Sequence, residues 1–299
     1  MANTRLAVNP SMEVDTRHPG DSPPSAEPGS VLRAVRTLRL LREGFISPPT
    51  LDTAVSHAIL RLVSDGLEPA SLRLHRPGPI VAFGPKDRHA QGYERAIAMA
   101  AERGFGSVQR LAGGRAAVFD EQTIAFSWAI PDRSPPERTE ERFVEVGAIM
   151  AAALRDLGVD ARVGEVPGEY CPGRHSVNAR GKRKLVGVGQ RLVARAAHVG
   201  GVVVVGGSDR VRDVLVPVYE ALGIAWDPAT TGSLEDEVPG LKWEDALEAI
   251  LARFGETYDL SEGAVSPETM DLAQTLQARH AAPNPRQTRF DSTKAGGSR

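Results

Sequence analysis

Residues 107–130 read Ser-Val-Gln-Arg110-Leu-Ala-Gly113-Gly114-Arg115-Ala-Ala-Val-Phe119-Asp120-Glu-Gln-Thr-Ile-Ala-Phe-Ser-Trp-Ala-Ile130. Three short apolar runs are broken by a double glycine and by Asp120-Glu121, which predicts strands over 107–111, 116–119 and 123–130. A long stretch rich in Ala, Val and Met follows from Glu137 to Leu157 and predicts a helix. Strands that succeed one another directly, with the helix set apart from them, form the pattern of an α+β fold and not of regularly alternating βαβ units.

The regions on either side agree. Upstream, Thr50 or Asp52 caps a helix carried by Ala54, Ala58, Ile59 and Leu62 and stopped by Gly66. Ser71–His75 and Pro79–Phe83 flank Pro77-Gly78 and predict a hairpin, and Arg88–Arg103 predicts a helix ending at Gly104. Downstream, strands are expected over Ser176–Ala179, Lys184–Gly189 and His198–Val205, with the basic turn Arg180-Gly-Lys-Arg183 between the first two. Helices are expected over Ser208–Leu222, Trp243–Phe254 and Pro267–His280. No repeat or second core is visible, so residues 31–280 are expected to form a single domain. Pro10, Pro19, Pro23, Pro24 and Pro28 among Ser, Gly, Asp and Glu mark 1–30 as a disordered tail, and the aperiodic 281–299 as another.

Of the 299 residues, 41% are hydrophobic, enough for one large core. Thirty-six Lys and Arg against 38 Asp and Glu give a net charge of −2, which argues against broad phosphate neutralisation and hence against a nucleic-acid partner. The longest apolar run, Val199–Val205, has the length of a buried strand and falls well short of the roughly 18 residues of a membrane span. Met1–Leu6 leads into polar, Pro-rich sequence and not into a signal peptide. One cysteine, Cys171, rules out an intramolecular disulfide framework and any multi-thiolate zinc site. A lone thiol suits a reducing compartment, so a cytoplasmic protein is expected. His175 and His198 sit in no HxH or HExxH spacing; no metal site is expected, and neither histidine is assigned a role.

Two segments could carry chemistry. In Arg110-Leu-Ala-Gly113-Gly114-Arg115, paired glycines let backbone amides approach a ligand and the arginines suit a carboxylate or phosphate; the same residues also make a plain tight turn. In Tyr170-Cys171-Pro-Gly-Arg-His175-Ser, the thiol precedes five basic residues between Arg180 and Arg191. Such clustering could lower its pKa and make a nucleophile, and the alternative is an inert buried cysteine.

Taken together, these segments resemble the catalytic domain shared by lipoate-protein ligases, lipoyl or octanoyl transferases and biotin ligases. The resemblance runs over most of 45–255: Leu51-Asp52-Thr-Ala on the first helix, Pro79-Ile-Val-Ala-Phe-Gly84, Arg110-x-x-Gly113-Gly114, Lys184-Leu-Val-Gly187 and the 198–205 strand. It implies a mixed β-sheet with packed helices, an acyl tunnel lined by Gly113 and Gly114, and a Lys184 that holds the acyl carbonyl or an adenylate phosphate. Arg110 matches the arginine before the glycine loop, and Arg115 and Gly187 complete the implied substrate contacts. Arginine at 115 in place of a third glycine, with Cys171 13 residues ahead of Lys184, is similar to the cysteine-dependent octanoyltransferases. No cysteine follows Lys184, which excludes the other transferase type, and Gly173-Arg174-His175-Ser176 only half matches the Gly-Arg-Asn-Asp of the ligases.

The resemblance therefore implies transfer of an octanoyl or lipoyl group from an acyl carrier protein or lipoyl domain to the lysine of a lipoyl domain or glycine-cleavage H-type protein. Cys171 would form the acyl-enzyme, and no cofactor would be needed. Its alternatives are an ATP- and Mg-dependent lipoate ligase and a non-catalytic binder of lipoate or lipoyl domains. The last is motivated by Phe119, where the family usually has histidine.

Overall fold

The computed structural model describes residues 36–283. The tail expected over 1–30 lies outside them, as does that over 281–299 except for its first residues, where Ala281 bridges Val108. In chain order the elements are β1 (Thr37–Leu41), α1 (Pro49–Asp65), β2 (Ser71–His75), β3 (Ile80–Phe83), α2 (Tyr93–Glu102), β4 (Gly106–Gln109), β5 (Ala117–Phe119), β6 (Thr123–Pro131) and α3 (Thr139–Asp156). They continue with β7 (Ala161–Val163), β8 (Val177–Ala179), β9 (Arg183–Val193), β10 (Ala196–Val204), α4 (Ser208–Leu222), the short α5 (Leu234–Glu237), α6 (Trp243–Gly255), β11 (Asp259–Glu262) and α7 (Pro267–Leu276).

Eight strands form one sheet in the order β11-β1-β2-β6-β10-β9-β8-β7, and three form a second, β4-β3-β5. β1 pairs in parallel with β2 and β11 while the centre of the large sheet is antiparallel, so the sheet is mixed and the fold is α+β. The expected hairpin is not formed. β2 pairs with β6 in the large sheet, whereas β3 joins β4 and β5 in the small one. Pro77-Gly78 is thus a crossing between sheets; a local turn signal does not say whether the strands it separates are partners.

Register decides what meets the interior. The pairings Arg73↔Ser127, His75↔Ala125, Ser127↔Gly200, Ala125↔Val202, Gly200↔Gly189 and Val202↔Gly187 place these residues on one face of the large sheet. On the opposite face, Trp128 packs edge-on against Phe254 and Tyr258. α1 covers the first face: its Ala54, Val55, Ala58 and Ile59 cluster with Ala129 and Ala196 of the sheet and with Ala273 and Leu276 of α7. The small sheet is backed by α2 and α4, where Val81 and Phe83 meet Ala96, Ile97, Val214, Val218 and Leu222. Each such buried aliphatic or aromatic side chain contributes roughly 1.5–3 kcal/mol relative to exposure. Between the glycine-floored face of the large sheet and the small sheet there is room for a ligand.

Candidate active site

The segment between β7 and β8 winds around one carboxylate. Glu169, fully buried, accepts from the Val166 amide at 3.0 Å, the Gly173 amide at 3.1 Å and the Ser176 hydroxyl at 2.8 Å. Lys184 enters from β9 and donates to Glu169 at 2.9 Å, to the Tyr170 carbonyl at 3.0 Å and to the Cys171 carbonyl at 2.7 Å. All three ammonium hydrogens are thereby used, and a buried cation is neutralised by a buried anion. On the other side of the peptide, the Cys171 amide donates to the Tyr219 phenol at 2.8 Å, which donates in turn to the Ala116 carbonyl at 2.9 Å. Cys171 is held between these anchors at φ +43°, a left-handed conformation costing a non-glycine residue about 1–3 kcal/mol.

This geometry delivers the sulfur to the double-glycine loop. The Arg115 amide donates to Cys171 Sγ at 3.1 Å, and Arg110 Nη1 reaches Sγ at 3.4 Å and the Arg115 carbonyl at 2.9 Å. Gly114, at φ +112°, is required here, because a Cβ would lie 2.8 Å from both Sγ and Arg110 Nη1. The Arg115 side chain turns away to Asp87 Oδ1 at 3.2 Å, while Asp87 Oδ2 accepts from the Gly84 amide at 2.8 Å. Burial pushes the Cys171 thiol up, but the charges of Arg110 and Lys184 and the Arg115 amide outweigh it, leaving the thiol below its ordinary pKa.

The structure brings together Arg110, Gly114, Cys171, Lys184 and Gly187, of which Arg110, Cys171, Lys184 and Gly187 line one small chamber with Phe119. Gly113 lies on the same loop with open space beside it. The basic run Arg180–Arg191 does not act on the thiol as a cluster. Arg180 pairs with buried Glu237, and Arg183 lies 3.6 Å from Glu237 and 4.0 Å from Asp236, so acidic α5 neutralises that turn. The cations that act on the sulfur are Lys184 and the distant Arg110. His175 stacks on Phe143, with ring centroids 4.8 Å apart, and His198 bonds the Ser127 hydroxyl at 3.0 Å. Glu169, Tyr219 and Asp87 went unread in the sequence. A carboxylate two residues before the only cysteine was a signal for the first, whereas nothing local marks a tyrosine 48 residues away.

A larger cavity shares Arg110, Phe119 and Gly201 with the chamber at Cys171 and continues over Gly200 and Ala125 towards α1 and β2. Among the described residues, no group of three or more His, Cys, Asp or Glu is placed to hold a metal ion, and no helix is long and apolar enough to cross a membrane.

Residues 48–255 match the model of the lipoyl protein ligase A/B catalytic domain. The chain belongs to this family. It is 29% identical over 170 residues to the octanoyl-GcvH:protein N-octanoyltransferase of Geobacillus kaustophilus, a match covering 57% of this chain and 60% of that one. It is 28% identical over 231 residues to the protein of the same name from Anoxybacillus flavithermus, covering 74% and 82%. Among solved structures, lipoate-protein ligase A bound with ATP superposes with a TM-score of 0.64 at 19% identity, over 81% of this chain and 95% of that one. The mixed sheet with packed helices is thus the fold of the family's ligases.

Proposed function

We propose that this family member moves an octanoyl group from the lysine of a glycine-cleavage H-type protein to the lysine of a lipoyl domain, through a thioester on Cys171. One observation carries the reading: a half-buried thiol with two hydrogen-bond donors, a lowered pKa and a strained, tightly anchored backbone lines a chamber that adjoins a cavity of mostly apolar lining. The activity named for the two relatives gives the donor.

In this reaction the Cys171 thiolate attacks the donor amide carbonyl and a C–S bond forms. The C–N bond then breaks, and the donor lysine leaves as an amine that takes its proton from water. The acceptor lysine's neutral amine next attacks the thioester, forming a C–N bond as the C–S bond breaks; it gives its proton to the hydroxide left by the first half-reaction, and the released thiolate restores the enzyme. The Arg115 amide and Arg110 stabilise the thiolate before acylation and again as the acceptor expels it, and Gly114 leaves room for the acyl carbon beside it. Lys184 is a positioning residue here, its hydrogens committed to the carbonyls and carboxylate that shape the Cys171 loop. Neither half-reaction consumes ATP or needs a metal; the ligase alternative would need both ATP and Mg.

Intact mass of the protein after incubation with octanoyl-loaded H protein should show one added octanoyl group, absent in Cys171→Ala. An unmodified wild type, or pyrophosphate release that requires lipoate and ATP and survives Cys171→Ser, would overturn the proposal in favour of the ligase.

A further inference from the structure

The cavity that leads away from Cys171 does not end as a plain hydrocarbon slot. Beyond Phe119 and Gly201 it reaches a wall lined by Asp52 and Ser56 of α1, His75 of β2, and Ser127 and His198 from β6 and β10. Most of this polarity is already satisfied. Arg73 donates to Asp52, to Ser56 at 3.1 Å and to the Glu43 carbonyl at 2.7 and 3.0 Å, so no free cation remains for an acidic tail. Asp52 also accepts from the Phe45 amide at 3.1 Å and from His75 Nε2 at 2.6 Å, so it has no need of a cationic ligand.

His75 is the exception. It is 4% exposed, and its Nδ1 is buried without a partner. With Nε2 donating to an ionised Asp52 and burial keeping the ring neutral, Nδ1 is a bare acceptor that lacks a donor. Such orphans are rare in folded proteins and indicate a missing partner.

Dimensions identify the partner's reach. From Gly187 on β9 to His75 on β2 is three strand spacings, about 14 Å in all. An octanoyl chain laid from the Cys171 chamber across the glycine floor covers about 9 Å, taking C–C bonds of about 1.5 Å in zigzag. A hydroxyl at the chain end and a hydrogen bond of about 2.8 Å close most of the remaining gap. We propose that the wall around His75 is a recognition site for the far end of the acyl group, and that beside the octanoyl chain of the proposed transfer it accepts, and binds more tightly, medium-chain acyl groups ending in a neutral hydrogen-bond donor such as a hydroxyl. This inference rests on the reading of the cavity as the acyl site, but not on the chemistry at Cys171.

Calorimetric titration of the wild-type protein with octanoic acid and with 8-hydroxyoctanoic acid tests it directly. The hydroxy acid should bind about tenfold more tightly, and His75→Phe should erase or invert the preference. Equal or weaker binding of the hydroxy acid to the wild type overturns the proposal, as does failure of both acids to bind; neither result depends on whether His75→Phe folds. A mass assay with donor protein carrying each acyl group separates the two readings. Tighter binding of the hydroxy acid without acylation of Cys171 by either donor keeps the tail site and overturns the transfer mechanism.

Discussion

At one end of the cavity, Arg110 and Lys184 flank a half-buried sulfur and favour its anionic form; at the other, the imidazoles of His75 and His198 are buried and held neutral, His198 down to about 3. Both regions are desolvated, and burial alone disfavours charge at either. The difference lies in the neighbours. Cys171 has two fixed cations and an amide that favour its anion, whereas His198 has a hydroxyl at 3.0 Å, a further imidazole, His57, and the same Arg110, whose positive charge opposes a second cation. In the same low dielectric a charge persists where opposite charges and donors converge and is suppressed where they do not, which separates the proposed reacting end from the proposed recognition end.

The sharpest way to break this contrast is to remove the cation that shapes the reacting end. Lys184→Met leaves Glu169 buried and unpaired and should cost about 3–5 kcal/mol in chemical denaturation, with part recovered in Lys184→Met combined with Glu169→Gln. A loss below 1 kcal/mol would show that the pair does not hold the loop. Next in size is the glycine pair: Gly114→Ala places a methyl against Sγ and should slow Cys171 acylation about a hundredfold, while Gly113→Ala meets nothing and should leave the rate near wild type. Equal effects at the two positions would refute the geometry of the loop.

Arg110→Met should raise the thiol pKa, slowing alkylation by iodoacetamide about tenfold at pH 7 and shifting the midpoint of its rate–pH profile upwards. An unmoved midpoint would remove Arg110 from the electrostatics of the site. The last test belongs to the neutral end. His198 binds protons more readily unfolded than folded, so stability is complete above about pH 6.5 and falls as pH drops towards 3, by at most about 1.4 kcal/mol per unit for this group. Tm measured from pH 7 to 5 should decline, and less steeply in His198→Gln.

The helices, the strands of residues 107–130 and the two motifs were legible because each rests on local pattern: glycines that break runs, a period of two or of 3.6, a lysine three residues before a glycine. Sheet partnership was not, since β2 and β3 are both short strands on either side of Pro77-Gly78 and only long-range pairing sends them to different sheets. Around Cys171 the same division holds. The thiol, Lys184 and the Arg110 loop could be read, but of the basic residues in Arg180–Arg191 only Lys184 acts on the sulfur, because one-dimensional clustering does not reveal that α5 supplies Glu237 to Arg180 and Arg183. Glu169 and Tyr219 act by backbone contacts that no side-chain pattern encodes.

The Tyr219 phenol ties the Cys171 amide to the Ala116 carbonyl, joining points 48 and 103 residues from it along the chain. The pose of the Cys171 thiol therefore exists only once α4, the Cys171 loop and the strand after the glycine turn have all docked, and such non-local contacts form late in folding. In a partly assembled chain the sulfur would be an ordinary thiol. Rapid alkylation at neutral pH thus offers a built-in readout of folding, and a chase of that signal during refolding would time the last step of assembly without any added label.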